Sequence, residues 1–255
     1  MLRILLSGCN GRMGKAVSEL ARETEGVVIA AGFDQNCATL FDYPVYSDPM
    51  EFDGSADVLV DFSSPALLDT LLAFCTAKKI PAVFATTGYS PEQVNKIEKA
   101  SGSIAIFRSA NMSLGVSLIT ELSRIAARLL GSSYNIEIIE KHHNKKLDSP
   151  SGTALALADA ISGALPFTPE YVHGRHSSSN KRASNEIGIH AVRGGTIVGE
   201  HEVLFAGNDE LVEIKHTALS RSVFANGAVK AAAFIVSQKP GLYTMKDLVS
   251  GITGL

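Results

Sequence analysis

The chain has 255 residues, 45% hydrophobic and 19% charged, with a formal net charge of −3. A charge so near neutrality excludes a basic footprint for nucleic acid or for an anionic membrane surface, and no apolar run approaches the ~20 residues that span a bilayer. The three cysteines, Cys9, Cys37 and Cys75, are odd in number and far apart, which argues against a disulfide framework or a metal site and places the chain in a reducing cytoplasm.

The start, MLRILLSGCNGRMG, reads as a buried strand entering a glycine turn rather than as a secretory leader. Strands are predicted at Arg3–Ser7 and Val27–Phe33, with a helix over Arg12–Glu23 between them. Asp57–Phe62, Pro81–Ala85 and Ile104–Phe107 continue the strand series, separated by helical stretches at Pro65–Lys78 and Pro91–Ala100. Strands this uniformly apolar, alternating with helices, imply a parallel sheet covered on both faces.

After Asn111 the texture changes. An amphipathic helix is predicted over Ser113–Leu130, with Leu118, Leu122, Ile125 and Leu129 at helical spacing. Further strands are expected at Asn135–Glu140, Glu186–Arg193, Thr196–Phe205 and Glu210–Ala218. Gly-Gly and Gly-Asn-Asp turns between the last three imply antiparallel or mixed pairing. Ser177–Ser184 reads as a mobile loop, Phe224–Val236 as a helix and Tyr243–Val249 as a short last element. The fold class expected is α/β: a Rossmann-type doubly wound parallel sheet plus a second α+β domain with a mixed open sheet.

Gly8-Cys9-Asn10-Gly11-Arg12-Met13-Gly14 joins the first strand to the first helix. Glycines there let the backbone turn sharply and approach a pyrophosphate, which the free N–H groups of the helix start attract. A strand–helix turn without a ligand would look similar, but about 20 residues on, at the end of the second strand, stands Asp34. An acid at that place binds ribose hydroxyls. Asp34 repels a 2′-phosphate and Gln35 brings no cation, so NADH is preferred; nearby Arg12 keeps NADPH open. The turns Asp61-Phe62-Ser63-Ser64-Pro65 and Ala85-Thr86-Thr87-Gly88 also end parallel strands, where doubly wound folds bind ligands. Thr86 and Thr87 could equally cap the following turn.

The segment Glu140–Thr153, EKHHNKKLDSPSGT, gathers two imidazoles and several ammonium groups before entering a helix. The Ser-Gly-Thr start of that helix offers N–H groups to a carboxylate. Lys146 can supply a cation and a histidine of near-neutral pKa a proton. Singly, each residue has a plainer role: Ser151 or Thr153 as an N-cap, the lysines as solvated surface. Together, on a chain that already carries a nucleotide turn, they point to a reaction site.

The segments GCNGRMG, ATTG, SANMSLGV, EKHHNKKLDSPSGTA and FANGAVK, in that order over nearly the whole chain, resemble the dihydrodipicolinate reductase family. The resemblance implies a dinucleotide-binding domain from residues 1–111 and 222–255, and a substrate-binding and oligomerisation domain from 112–221 that builds a homotetramer. It implies NAD(P)H-dependent reduction of a small cyclic dicarboxylate imine on the way to diaminopimelate and lysine, with no metal. His142 would be the proton donor and Lys146 the catalytic cation. His143, Lys146, Ser151, Gly152 and Thr153 would hold the substrate carboxylates. Gly8, Arg12, Met13, Asp34, Thr87, Gly88, Ala110 and Met112 would face the cofactor, joined by Asn10, Gly11, Phe62, Ser63, Ala85, Thr86, Ser109, Asn111 and Lys230. The chain departs from the family pattern at Ala85 (often Gly), Gln35 (commonly Arg) and Lys230 (often Arg), all of which bear on cofactor preference. Two rivals stand beside this expectation: an amino-acid dehydrogenase of related architecture, and a non-catalytic sensor of the NADH/NAD ratio.

Overall fold

A computed structural model describes residues 1–131 and 133–253. The chain divides into two compact units, Met1–Leu114 with the chain from Arg221 onward, and Gly115–Ser220.

The first unit runs β1 (Leu2–Ser7), α1 (Arg12–Glu23), β2 (Val27–Phe33), β3 (Val45–Tyr46), β4 (Val58–Asp61), α2 (Leu68–Lys78), β5 (Ala82–Phe84), α3 (Pro91–Ala100) and β6 (Ala105–Arg108). A seven-stranded sheet is ordered β12-β6-β5-β4-β1-β2-β3, where β12 is the late segment Gly241–Tyr243. Each of these pairings is parallel. Successive strand residues point to opposite faces, which explains the unbroken apolar runs. Ile4 and Leu6 enter one core with Val58 and Val60, whereas Leu5 and Leu59 enter the other. One core is closed by α1 and by α6 (Ser222–Ile235), the other by α2. The segment Tyr243–Val249, expected as one element, splits: β12 ends where Thr244 N–H and Oγ1 donate to Asp247, and α7 (Met245–Thr253) follows.

The second unit comprises α4 (Leu114–Leu130), β7 (Asn135–His142), α5 (Gly152–Ser162), β8 (Glu170–His173), β9 (Glu186–Arg193), β10 (Gly199–Ala206) and β11 (Leu211–Ala218). Its five-stranded sheet is ordered β11-β10-β7-β9-β8. The sheet is mixed: β10 runs antiparallel to β11 and β7, while β7, β9 and β8 are parallel. The Gly-Gly turn before β10 therefore closes no hairpin, because β7 lies between β9 and β10.

Helices α4 and α5 cover one face of this sheet. The leucine stripe of α4 is not the packed side. Leu118, Leu122, Ile125 and Leu129 are 50%, 43%, 52% and 81% exposed, whereas Val116, Ile119, Ser123 and Ala127 are buried. Smaller side chains bring a helix closer to a sheet, and α4 carries two apolar stripes of which the less bulky one packs. The loop Ser177–Ser184, expected to be mobile, is tethered by Arg182. Its guanidinium donates to Glu137, to Asn135 Oδ1 and to the carbonyls of Ile136 and Glu186.

Candidate active site

In the first unit, the glycine turn follows β1. Gly8 has φ +75°, and a Cβ there would lie 2.7 Å from the Phe62 carbonyl oxygen and 2.9 Å from Ser63 Cα. The first turn after β1 is thus pressed against the turn after β4, an approach only glycine permits. Gly11 caps α1 without a side-chain hydrogen bond, and the first helical turn, which includes Arg12 and Met13, holds no acidic residue. Its N–H groups lack intrahelical acceptors and suit an anion.

At the end of β2, the Asp34 carboxylate accepts the N–H groups of Asn10 (3.0 Å) and Asn36 (3.1 Å). The Asn10 side chain donates to the carbonyls of Asn36 (2.6 Å) and Ala38 (2.9 Å), tying the acid-bearing loop to the glycine turn. Ser63 donates to the fully buried Asp61 at 2.5 Å, and Tyr89 reaches the same carboxylate from the turn after β5 at 3.1 Å. Asp61 thereby joins two turns at the carboxyl ends of neighbouring strands, a role sequence reading did not assign. Beyond β5, Ala85 and Thr86 are buried, whereas Thr87 and Gly88 are exposed. Helix α3 is capped by Ser90, in a capping box with Gln93.

After β6, Ser109 Oγ donates to the Asn111 carbonyl, Ala110 is exposed, and Lys230 stands on the exposed side of α6. The Met112 side chain is buried in the core, so Met112 can offer a cofactor only its backbone. A glycine cradle that a Cβ would fill, an uncapped helix start and a carboxylate after the second strand fit a dinucleotide.

In the second unit, alternation along β7 sends Ile136 and Ile138 into the core and then places Glu140 and His142 on the same face. Glu140 is 0% exposed. Its carboxylate receives Arg193 through two hydrogen bonds of 2.7 and 2.6 Å, the Ser151 N–H at 2.9 Å and His142 Nδ1 at 2.6 Å. Burial works to raise the Glu140 pKa, but the Arg193 and His142 partners and the Ser151 N–H outweigh it and hold the group low. For His142, burial dominates and lowers the pKa, aided by Lys146 and Arg193 and opposed by Glu140.

Ser151 takes the plain role weighed for it, since its hydroxyl accepts the Ala154 N–H as N-cap of α5 and lies 3.0 Å from His201 Nε2. The helix start also presents backbone N–H groups, and that of Gly152 already donates to the Asp148 carboxylate. Lys146 Nζ lies 2.8 Å from Asp148 Oδ1. His143, just past β7, keeps a buried Nδ1 without a hydrogen-bond partner among the described residues. An imidazole, an ammonium group and helix-start amides can together protonate a substrate and hold its carboxylates. Among the described residues no group of His, Cys, Asp or Glu could hold a metal ion, and no helix is long and apolar enough to cross a membrane.

Glu140 was visible in the sequence without a role, although a Glu-x-His pair on one strand face is a legible signal. Arg193 and His201 were not findable, because they reach the site only through the registers β7–β9 and β7–β10, where Arg193 pairs with His142 and His201 with Glu140.

The His201 ring lies 5.1 Å from that of His142, and burial, then His142, lowers its pKa to about 4. Because the folded value lies below the unfolded one of 6.5, the unfolded chain binds the extra proton between pH 6.5 and 4. Stability should therefore fall as pH drops through that window, by about 3 kcal/mol from this group. Urea unfolding at pH 7.5 and 4.5 measures the slope; His201→Gln should flatten it, and an unchanged slope would rule the imidazole out as its source.

Two family descriptions match the chain: "Dihydrodipicolinate reductase, N-terminus" over residues 2–112 and "Dihydrodipicolinate reductase, C-terminus" over 115–249. The 4-hydroxy-tetrahydrodipicolinate reductase of Caldanaerobacter subterraneus subsp. tengcongensis is 54% identical over 98% of both chains. That of Clostridium tetani is 50% identical over the same shares. Among solved structures, a dipicolinate-bound dihydrodipicolinate reductase from Paenisporosarcina sp. TG-14 shares the fold, with a TM-score of 0.81 and 23% identity over 96% of this chain and 97% of that one.

Proposed function

The chain belongs to the dihydrodipicolinate reductase family, and from that premise we propose how its residues divide the work. The reaction is the NAD(P)H-dependent reduction of a cyclic dicarboxylate imine, 4-hydroxy-tetrahydrodipicolinate, to tetrahydrodipicolinate in diaminopimelate and lysine biosynthesis. Residues 1–111 and 222–255 bind the dinucleotide, and 112–221 bind substrate and neighbouring subunits. The single observation that carries the residue roles is the cluster at the end of β7, where His142, Lys146 and the start of α5 stand together on one unit. A ratio sensor has no need of a proton donor beside a carboxylate cradle.

Loss of the 4-hydroxyl as water conjugates a ring C=C with the substrate C=N bond, and NAD(P)H held by the dinucleotide-binding residues would supply a hydride to the far carbon of that C=C. Lys146 offsets the negative charge that spreads towards the ring nitrogen. His142 gives a proton to the adjacent carbon, which restores the C=N bond and completes the addition of two hydrogens. The N–H groups of Gly152 and Thr153, with His143 and Lys146, fix the substrate carboxylates so that proton donor and acceptor stay aligned. Ser151, whose hydroxyl caps α5, belongs with them at this carboxylate-holding helix start. On the dinucleotide side, Gly8, Asn10, Gly11, Arg12 and Met13 cradle the pyrophosphate, Asp34 takes the ribose, and Phe62, Ser63, Ala85, Thr86, Thr87, Gly88, Ser109, Ala110, Asn111, Met112 and Lys230 border the rest.

NADH is preferred over NADPH, because the Asp34 carboxylate opposes a 2′-phosphate and Gln35 offers no countercharge. The chain works in the cytoplasm, a placement supported by three unpaired thiols and tested by cell fractionation. Four copies assemble through the face of the five-stranded sheet that α4 and α5 leave uncovered. Leu211 and Val192 on that sheet are 52% and 45% exposed, beside the ion pairs of Glu200 with Lys141 and Lys215. Sedimentation equilibrium should return four times the chain mass; a monomer would refute the assembly.

The functional test is a coupled assay. The cyclic substrate is generated from pyruvate and aspartate semialdehyde by its synthase, and oxidation of NADH and NADPH is followed separately. Both should be consumed, NADH with the higher kcat/KM. No oxidation of either would remove the reductase, and a higher kcat/KM for NADPH would overturn the role given to Asp34.

A further inference from the structure

Building on the proton-donor role given to His142, we infer that Glu140 is a positioning residue: it fixes the proton of the neutral His142 imidazole on Nδ1 and thereby makes Nε2 the nitrogen that exchanges a proton with substrate. The geometry leaves little freedom. Glu140 is fully buried, and both its oxygens are engaged, Oε1 by Arg193 and the Ser151 N–H, Oε2 by Arg193 and His142 Nδ1. A buried carboxylate bound by a bidentate guanidinium stays ionised. An ionised carboxylate can only accept hydrogen bonds. The 2.6 Å contact to His142 therefore requires Nδ1 to donate whether the ring is neutral or charged. The exchangeable position is then Nε2. Gly199 on β10 keeps that edge clear: a Cβ at this position would lie 3.1 Å from His142 Nε2 and 3.5 Å from Cδ2.

The same carboxylate binds the backbone N–H of the N-cap of α5, so one buried charge sets both the working imidazole edge and the anchor of the carboxylate-binding helix start. Arg193 completes the arrangement from β9, since without it Glu140 would be a buried charge lacking a full countercharge. The charged or titratable groups facing His142 are Glu140 on its own strand, Arg193 on β9, His201 on β10 and Lys146 in the following loop. Of these only Glu140 favours the charged ring, whereas Lys146 and Arg193 disfavour it, so removing the carboxylate leaves the imidazolium opposed on every side.

Glu140→Gln supplies the test. The amide can still accept from Arg193, but its NH2 group donates to His142 Nδ1 and moves the ring proton to Nε2. In a serine-protease triad, the same carboxylate-to-amide exchange keeps the geometry and costs ~10⁴ in kcat through the wrong tautomer. Here kcat should fall by ~10² or more with KM changed less than about threefold, and the limb of the kcat–pH profile belonging to the proton donor should move to lower pH. Independently of any variant, ¹⁵N NMR of histidine-labelled wild-type protein at pH 8 should show neutral His142 protonated at Nδ1, and Glu140→Gln should convert it to the Nε2-protonated form. A wild-type imidazole protonated at Nε2, or a Glu140→Gln enzyme with wild-type kcat and an unmoved profile, would overturn the inference. His142→Gln separates the two levels. If that variant keeps normal turnover, the proton-donor role itself fails; if it loses turnover while Glu140→Gln does not, only the role of Glu140 fails.

Discussion

His142→Gln is expected to lower kcat by ~10²–10⁴ and to leave KM within a few-fold of wild type. That range is the usual contribution of a positioned general acid. Glutamine occupies similar space, and its amide can still meet the Glu140 carboxylate that now holds His142 Nδ1. It cannot release a proton to carbon at neutral pH. Because the proton is in flight only in the transition state, its loss appears in turnover more than in binding. The side effect on stability is small. His142 is 8% exposed, so some packing is lost, but the Arg193–Glu140 pair remains to hold β7 against β9. The measurement is steady-state kinetics in the coupled assay beside the thermal midpoint of the variant. A kcat within threefold of wild type would show that another group delivers the proton.

Gly8→Ala should have the second-largest effect. The position combines φ +75° with a Cβ that would sit 2.7 and 2.8 Å from the carbonyl of Phe62 and 2.9 Å from Ser63 Cα, all backbone atoms that cannot swing away. The left-handed conformation costs an alanine ~1–2 kcal/mol. Relieving the clash must separate the turn after β1 from the turn after β4, which deforms both borders of the dinucleotide cradle. The expected result is a rise of at least ~100-fold in the dissociation constant for NADH, about 2.7 kcal/mol of lost binding, together with lower stability. Gly26→Ala is the control. Gly26 has a similar φ of +79° but nothing within 4 Å of the added carbon, so it should lose stability by ~1–2 kcal/mol and keep its affinity for NADH. Equal affinity losses in both variants would mean that backbone strain, not the close approach of the two turns, governs binding.

The parallel-sheet half of the fold was legible because burial on both faces writes itself into composition: β2, α1 and α3 lie where the apolar runs and helical stretches between them put them. The pairings of the second sheet were less accessible. The Gly-Gly turn between β9 and β10 looks like a hairpin locally, yet β7 separates the two strands, and that insertion depends on long-range register. Hydrophobic bulk also misled on α4, whose largest side chains face outward while Val116, Ile119, Ser123 and Ala127 pack. The candidate site shows the same division. Residues 140–153 were recognisable as a group because their chemistry is contiguous in sequence. The wiring was not, since Arg193 and His201 arrive from neighbouring strands, and Asp61, legible as the start of a ligand-bordering turn, ties that turn to the next through Tyr89, a contact made only by the fold.

The most direct measurement is a crystal structure of the protein with NAD⁺ and pyridine-2,6-dicarboxylate. One carboxylate of the pyridine should be hydrogen-bonded to the backbone N–H groups at Gly152–Thr153 and to Lys146 Nζ, with the Nε2 edge of His142 turned to the ring. A dicarboxylate bound away from the start of α5, with His142 and Lys146 making no contact to it, would contradict the assignment of this cluster as the place where the imine is reduced.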